Sequence, residues 1–304
     1  MPARSRLGQT AAYALAALIL IVAGVSLASA VSDPLLRLAI VGVVSSLVMT
    51  AIALAAASRS RSGMRDALGW TRSSSRLGRA HVAVLTLGAV GASHLLDAAI
   101  DSLGIREASV LAELDMLLGG ARGLPLALVV LGVGIAPGFG EELLFRGVLL
   151  RGVARRHGVA VGLVASSLLF GALHIDPVQG GAAALLGLYL GGVAIAADGT
   201  RIAIGCHVAN NLVAVLGAAL ADGDASRGPD RSDWLLVAAG AALLAGLVVL
   251  ARTIPEGVSW WQGNRQSSGP SIPEQDESVR AGEVVGELVA GVERDAEQDA
   301  PEHE

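Results

Sequence analysis

The sequence predicts an all-α, polytopic transmembrane helical bundle of about eight membrane helices, followed by an acidic, disordered C-terminal tail. Three observations carry that expectation. Of the 304 residues, 53% are hydrophobic, mean hydropathy is +0.61 and only 16% are charged, against about 25% in soluble domains. The apolar residues gather into runs of about 20, the length that crosses about 30 Å of hydrocarbon. Charge is also segregated: residues 253–304 hold 12 acidic residues and 3 Arg, whereas residues 1–252 hold 15 acidic residues and 19 Arg.

In chain order the runs are 11–31, 35–57, 81–100, 124–145, 158–176, 179–198, 202–221 and 233–251. The first follows Arg4 and Arg6 and contains Ala28-Ser29-Ala30, which resembles a signal-peptide cleavage site. Its apolar stretch is longer than a signal h-region, so an uncleaved helix is expected. Between the second and third runs stand Arg59, Arg61, Arg65, Arg72, Arg76 and Arg79; between the fourth and fifth stand Arg151, Arg155 and Arg156, and Arg252 follows the eighth. The alternate loops hold Asp101, Glu107, Glu113, Asp115, Asp222 and Asp224. The positive-inside rule then predicts a multi-pass cell-membrane protein with both termini cytoplasmic. Arginines at the ends of apolar runs are membrane anchors rather than a nucleic-acid surface, so the lipid bilayer is the expected partner and nucleic acid is not. The expected divisions are 1–119 (three membrane helices and their loops), 120–222 (the core with the polar motifs), 223–254 (the last membrane helix) and 255–304. That last segment has the low hydrophobicity and high charge of a disordered chain. The single Cys, Cys206, excludes an internal disulfide framework.

Ionisable residues inside apolar spans cost about 2.5–3.5 kcal/mol on insertion scales and are functional candidates. Glu141 and Glu142 sit side by side in the fourth run, after Pro137, Gly138 and Gly140. Glu142 and Arg146 share a helix face at i,i+4, while Glu141 points about 100° away. Phe170 and His174 in the fifth run, and His207 and Asn211 in the seventh, repeat the i,i+4 spacing, with Asn210 pointing elsewhere. His94 and Asp97 in the third run suggest an interhelical hydrogen bond. The segment Arg155-Arg156-His157-Gly158 marks a turn, with Glu141 16 residues before His157 and His174 17 after it. An antiparallel hairpin therefore brings Glu141 and His174 to one depth, roughly 24 Å from the turn.

The order Glu141-Glu142-x-x-x-Arg146, Phe170-x-x-x-His174 and His207-x-x-x-Asn211 resembles the three-motif signature of the CAAX-protease and bacteriocin-processing membrane family. That family is also called Abi and includes type II CAAX prenyl endopeptidases. The resemblance covers about residues 120–222. It implies an intramembrane endopeptidase acting on a membrane-associated peptide or protein. In that reading Glu141 and His174 activate water, His207 and Asn211 stabilise the oxyanion, and Glu142 and Arg146, with Phe170, support the site. The chemistry is sound without the family: burial moves a carboxylate toward the range of a working base, and an oxyanion donor is worth about 2.7–4 kcal/mol.

No cofactor is expected, though the family has also been classed with metalloproteases. Glu141, His174 and His207 have the ligand types of a three-ligand zinc site, which stays an alternative. Further alternatives are a non-catalytic membrane scaffold, a bacteriocin self-immunity protein, and a proton- or ion-coupled transporter. The sequence shows no repeated halves of the kind a transporter often carries. There is no His-Glu-x-x-His segment. Cys206 is adjacent to His207 and so faces another side of its helix, which argues against a thiol nucleophile.

Overall fold

Small side chains and few breakers make these apolar runs helical, and close packing of those small residues holds the helices together. The computed structural model describes residues 26, 28–60, 63–70, 77–220 and 233–267. Its elements are α1 (Pro34–Ala57), α2 (Met64–Ala67), α3 (Arg79–Ser102), α4 (Val110–Leu118), α5 (Gly123–His157), α6 (Val159–Ala172), α7 (Pro177–Ala196), α8 (Thr200–Leu220) and α9 (Asp233–Ser267), with a short 3₁₀ turn at Arg106–Ala108. No strand occurs among the described residues. The chain forms two compact units, Met1–Ser259 and Trp260–Glu304, and the bundle belongs to the first.

Six helices, α1, α3, α5, α7, α8 and α9, are long and apolar enough to cross a membrane, with α6 a shorter apolar helix. The protein is thus an all-α polytopic membrane bundle. The predicted run 11–31 and the tail beyond Ser267 lie outside the described residues. Three boundaries differ from expectation. The fourth run does not end at 145: α5 continues to His157, where Gly158 (φ +96°) takes a backbone conformation that side chains resist and turns the chain back. The fifth run ends at Ala172, so His174 stands in a turn rather than on the helix. The last helix passes through Pro255 to Ser267, because polarity ends an apolar span without ending a helix.

Glycines set the closest contacts. A Cβ on Gly132 would lie 2.3 Å from the Ala39 carbonyl oxygen, and one on Gly140 would lie 2.4 Å from that of Ser46. α1 and α5 therefore touch backbone to backbone along more than two turns. On the other side α3 and α9 cross at Gly88 and Gly246, where Tyr189 of α7 inserts its ring and donates to the Leu85 carbonyl at 3.0 Å. α6 and α7 form a tight hairpin in which Gly171 faces Gly180. The bundle thereby surrounds the middle of α5 with α1, α6, α7 and α8.

Candidate functional site

α5 is wound unevenly. Val130–Ile135 and Leu143–Leu150 are π-helical, and Ala136–Glu142 between them is α-helical. π-wound stretches are rare and gather at functional sites, because the extra residue per turn re-aims the side chains that follow. The two carboxylates lie at the end of this α-helical insert.

Glu142 and Arg146 are both fully buried. Arg146 Nη1 donates to Glu142 Oε1 at 2.8 Å, and Nη2 donates to the Gly187 carbonyl at 3.1 Å. A side chain at Gly187 would crowd that second bond: a Cβ there would meet Arg146 Nη2 and Phe170 Cδ1, each at 3.2 Å. The same Glu142 oxygen is 2.9 Å from His207 Nδ1. A carboxylate that also receives Arg146 is an acceptor, so Nδ1 of His207 carries a proton there. Glu142 thus fixes both a guanidinium and an imidazole, a role its i,i+4 spacing to Arg146 did not reveal.

Glu141 points elsewhere, as the 100° rotation per residue requires. Its Oε2 stands 3.7 Å from His207 Nε2, and Glu141 is partly accessible where Glu142 is closed. His174 is the other imidazole in its electrostatic reach. His174 Nδ1 is 3.0 Å from the Phe170 carbonyl. A carbonyl only accepts, so Nδ1 carries the hydrogen and neutral His174 presents the lone pair of Nε2.

Phe170 is the hub of the cluster. Its ring meets Phe145, His174 and His207 edge-on, with centroids 5.2, 5.1 and 5.9 Å away, and the Arg146 guanidinium lies 4.6 Å from its centre. The ring thus gathers His174 and His207, and Glu141 joins the cluster through His207 Nε2. Asn211 is drawn toward α5, donating to the Val133 carbonyl at 3.3 Å, and buried Asn210 donates to Asn211 Oδ1 at 3.3 Å. Asn210 holds Asn211, a link between neighbours that helical-wheel reasoning does not suggest.

The His174 turn is itself anchored. Ile175 has φ +63° and is spanned by a hydrogen bond from Asp176 N to the His174 carbonyl at 2.6 Å. This is a γ-turn of the rare, strained hand, centred on a β-branched residue. Asp176 caps α7 by accepting from Gln179 N at 2.7 Å, and accepts also from Ser109 Oγ at 2.8 Å and Val110 N at 3.1 Å. The Gln179 amide, with the Ser109 and Val110 donors, holds the Asp176 carboxyl below the usual carboxylate range. Asp176-Pro177 is a readable helix start; its tie to Ser109 is not.

The interhelical hydrogen bond expected of His94 and Asp97 is not seen at His94, whose Nε2 is buried without a hydrogen-bond partner. Asp97 is taken by Arg106, which also bonds Asp101 and, at 2.7 Å, Asp115. Four charges 4–18 residues apart in sequence close into one cluster after α3. Among the described residues no group of three or more His, Cys, Asp or Glu side chains has metal-binding geometry. His174 and His207 each engage a protein oxygen through Nδ1, the Phe170 carbonyl and the Glu142 carboxylate, which leaves Nε2 as the free ring nitrogen of both.

Fold and site together define an integral membrane protein with a buried carboxylate–guanidinium–imidazole centre on α5, α6 and α8. Residues 123–213 match the family model described as type II CAAX prenyl endopeptidase Rce1-like, a stretch that includes Glu141, Glu142, Arg146, Phe170, His174, His207 and Asn211. No curated protein and no solved structure matches the chain.

Proposed function

We propose that the protein is an intramembrane endopeptidase that hydrolyses a peptide bond of a membrane-associated polypeptide with water activated by Glu141. The observation that carries this reading is the unequal treatment of two adjacent carboxylates. A single oxygen of Glu142 serves both Arg146 and His207 in a pocket closed to solvent, whereas Glu141 is partly accessible beside His207 Nε2. The family match over residues 123–213 supports the same class of reaction.

In this mechanism a water molecule lies between Glu141 and His174. It donates one hydrogen toward Glu141 and the other toward the His174 Nε2 lone pair. The water oxygen attacks the scissile carbonyl carbon as its proton passes to Glu141. The developing oxyanion accepts hydrogen bonds from protonated His207 Nε2 and from the Asn211 amide, which exchanges its Val133 bond for the substrate. Collapse breaks the C–N bond, and Glu141 returns the proton to the leaving amine.

The test is cleavage of a quenched membrane-peptide library by the purified protein. Wild type, Glu141→Gln and His174→Ala are compared with and without chelator. The mechanism predicts cleavage by wild type that survives chelator and falls about 10²–10⁴-fold in Glu141→Gln, the usual contribution of a general base. Activity removed by chelator and restored by zinc would overturn the metal-free mechanism. Cleavage unchanged in both variants would place the chemistry elsewhere.

A further inference from the structure

The bundle has two chemically different ends. At one end α1, α5 and α7 finish and α3, α6 and α8 begin. Its connections are tied together: Thr200 N donates to the Gly69 carbonyl at 3.0 Å, Thr200 Oγ1 to the Leu68 carbonyl at 3.1 Å, and Arg151 pairs with Asp198 at 3.1 Å. By sequence, the connections and helix ends here, with Arg252 on the last helix, hold eleven Arg against two acidic residues, Asp66 and Asp198. At the other end Ser109 and Val110 bond Asp176, and Arg122 bonds the Ala219 carbonyl. The connections and helix ends there hold five Arg against eleven acidic residues. Of those five, Arg37, Arg106 and Arg122 already bond protein oxygens.

His174 belongs to this second, acidic end, because it lies in the α6–α7 turn that Ser109 anchors through Asp176. The Asp176 carboxylate puts that turn in contact with water, and the bundle leaves the turn uncovered. Asp176 forms no ion pair among the described residues, and its three donors are neutral; an ionised carboxylate without a cation is costly in hydrocarbon. Ile175 beside it is 80% exposed. Water that reaches Asp176 is two residues from His174. The Arg-rich end is the one that the positive-inside rule keeps in the cytoplasm.

Resting on the peptidase reading above, we propose that the site is entered from the extracytoplasmic side and takes a polypeptide segment presented in or at the outer leaflet. An exported or outer-leaflet-anchored peptide fits this geometry, and a tail presented from the cytosol does not.

Cysteine accessibility tests the inference without requiring activity, since the native Cys206 is fully buried. Single cysteines are introduced in the full-length protein by Ile175→Cys and, at the same end, Leu103→Cys, with Ala80→Cys at the Arg-rich end. A membrane-impermeant maleimide is expected to label the first two in intact cells and Ala80→Cys only after permeabilisation. Labelling of Ile175→Cys and Leu103→Cys only after permeabilisation would overturn the inference, as would an Ile175→Cys protein that never labels. In a second arm, a quenched membrane peptide added outside right-side-out vesicles is expected to be cleaved by wild type and not by Glu141→Gln. Cleavage confined to inside-out vesicles would overturn the access side. No cleavage in either preparation, with the expected labelling, would remove the peptidase reading and leave the access face standing.

Discussion

Arg146 and Arg106 each gather acidic partners, and they do so in opposite surroundings. Arg146 has one carboxylate, shared with a histidine, and neither member of the pair touches solvent. Arg106 has three, on Asp97, Asp101 and Asp115, whose side chains are 34%, 26% and 48% exposed. Counting ion pairs would rank Arg106 first. Burial reverses the order, because solvent and salt screen the exposed cluster, while removing one member of the buried pair strands a charge with nothing to replace it. The buried pair is therefore where sequence change is costly, and the functional side chains are built against it.

The strongest way to break this contrast is to truncate the two arginines in parallel. Arg146→Met should cost about 3–5 kcal/mol, the penalty for orphaning a buried charge, read as a large fall in the unfolding midpoint in detergent. Arg106→Gln should cost no more than about 1 kcal/mol, and the wild-type contribution should fade in high salt. Comparable losses would mean that burial is not what separates the two regions.

The anchored turn at the acidic end gives smaller effects. Ile175→Gly should relieve a strained φ of the kind that costs of order 1–3 kcal/mol, partly offset by the flexibility glycine gives the unfolded chain. The expected result is unchanged or slightly higher stability together with slower cleavage, because the His174 imidazole loses its fixed position. A variant that is markedly less stable would show that the turn is not strained.

The smallest effect is the response to pH of the Asp176 cap. Its folded carboxyl titrates below the ordinary value of about 3.9. A depressed folded value means that its stabilisation is complete above that ordinary value and is lost as pH falls through the lower, folded one. Hydrogen exchange at the Gln179 and Val110 amides should therefore stay slow down to about pH 4 and accelerate only in stronger acid. Asp176→Asn should abolish that acid transition.

The helical, membrane-embedded architecture was legible because hydropathy runs and arginine placement act over 20 residues and average out local detail. The hairpin of α5 and α6 was legible too, since Arg155-Arg156-His157-Gly158 marked its turn. The remaining features depend on three-dimensional contacts that spacing does not encode. The π-helical winding of α5 at Val130–Ile135 and Leu143–Leu150 has no local signature in the apolar run. The end of α6 at Ala172 follows from the γ-turn at Ile175. Glu142 reaches His207 across 65 residues, and Arg106 captures Asp97 from outside its helix. These are tertiary choices among partners that the sequence makes equally available.

The central claim is that adjacent carboxylates have separate duties, Glu141 in catalysis and Glu142 in holding Arg146 and His207. The most direct test measures cleavage rate and unfolding midpoint on the same preparations of wild type, Glu141→Gln and Glu142→Gln. The predicted result is an about 10²–10⁴-fold loss of rate in Glu141→Gln at unchanged midpoint, and a clear fall of the midpoint in Glu142→Gln, where Arg146 is left buried and unpaired. Equal losses of stability in the two variants, or a Glu141→Gln protein that cleaves at the wild-type rate, would contradict it.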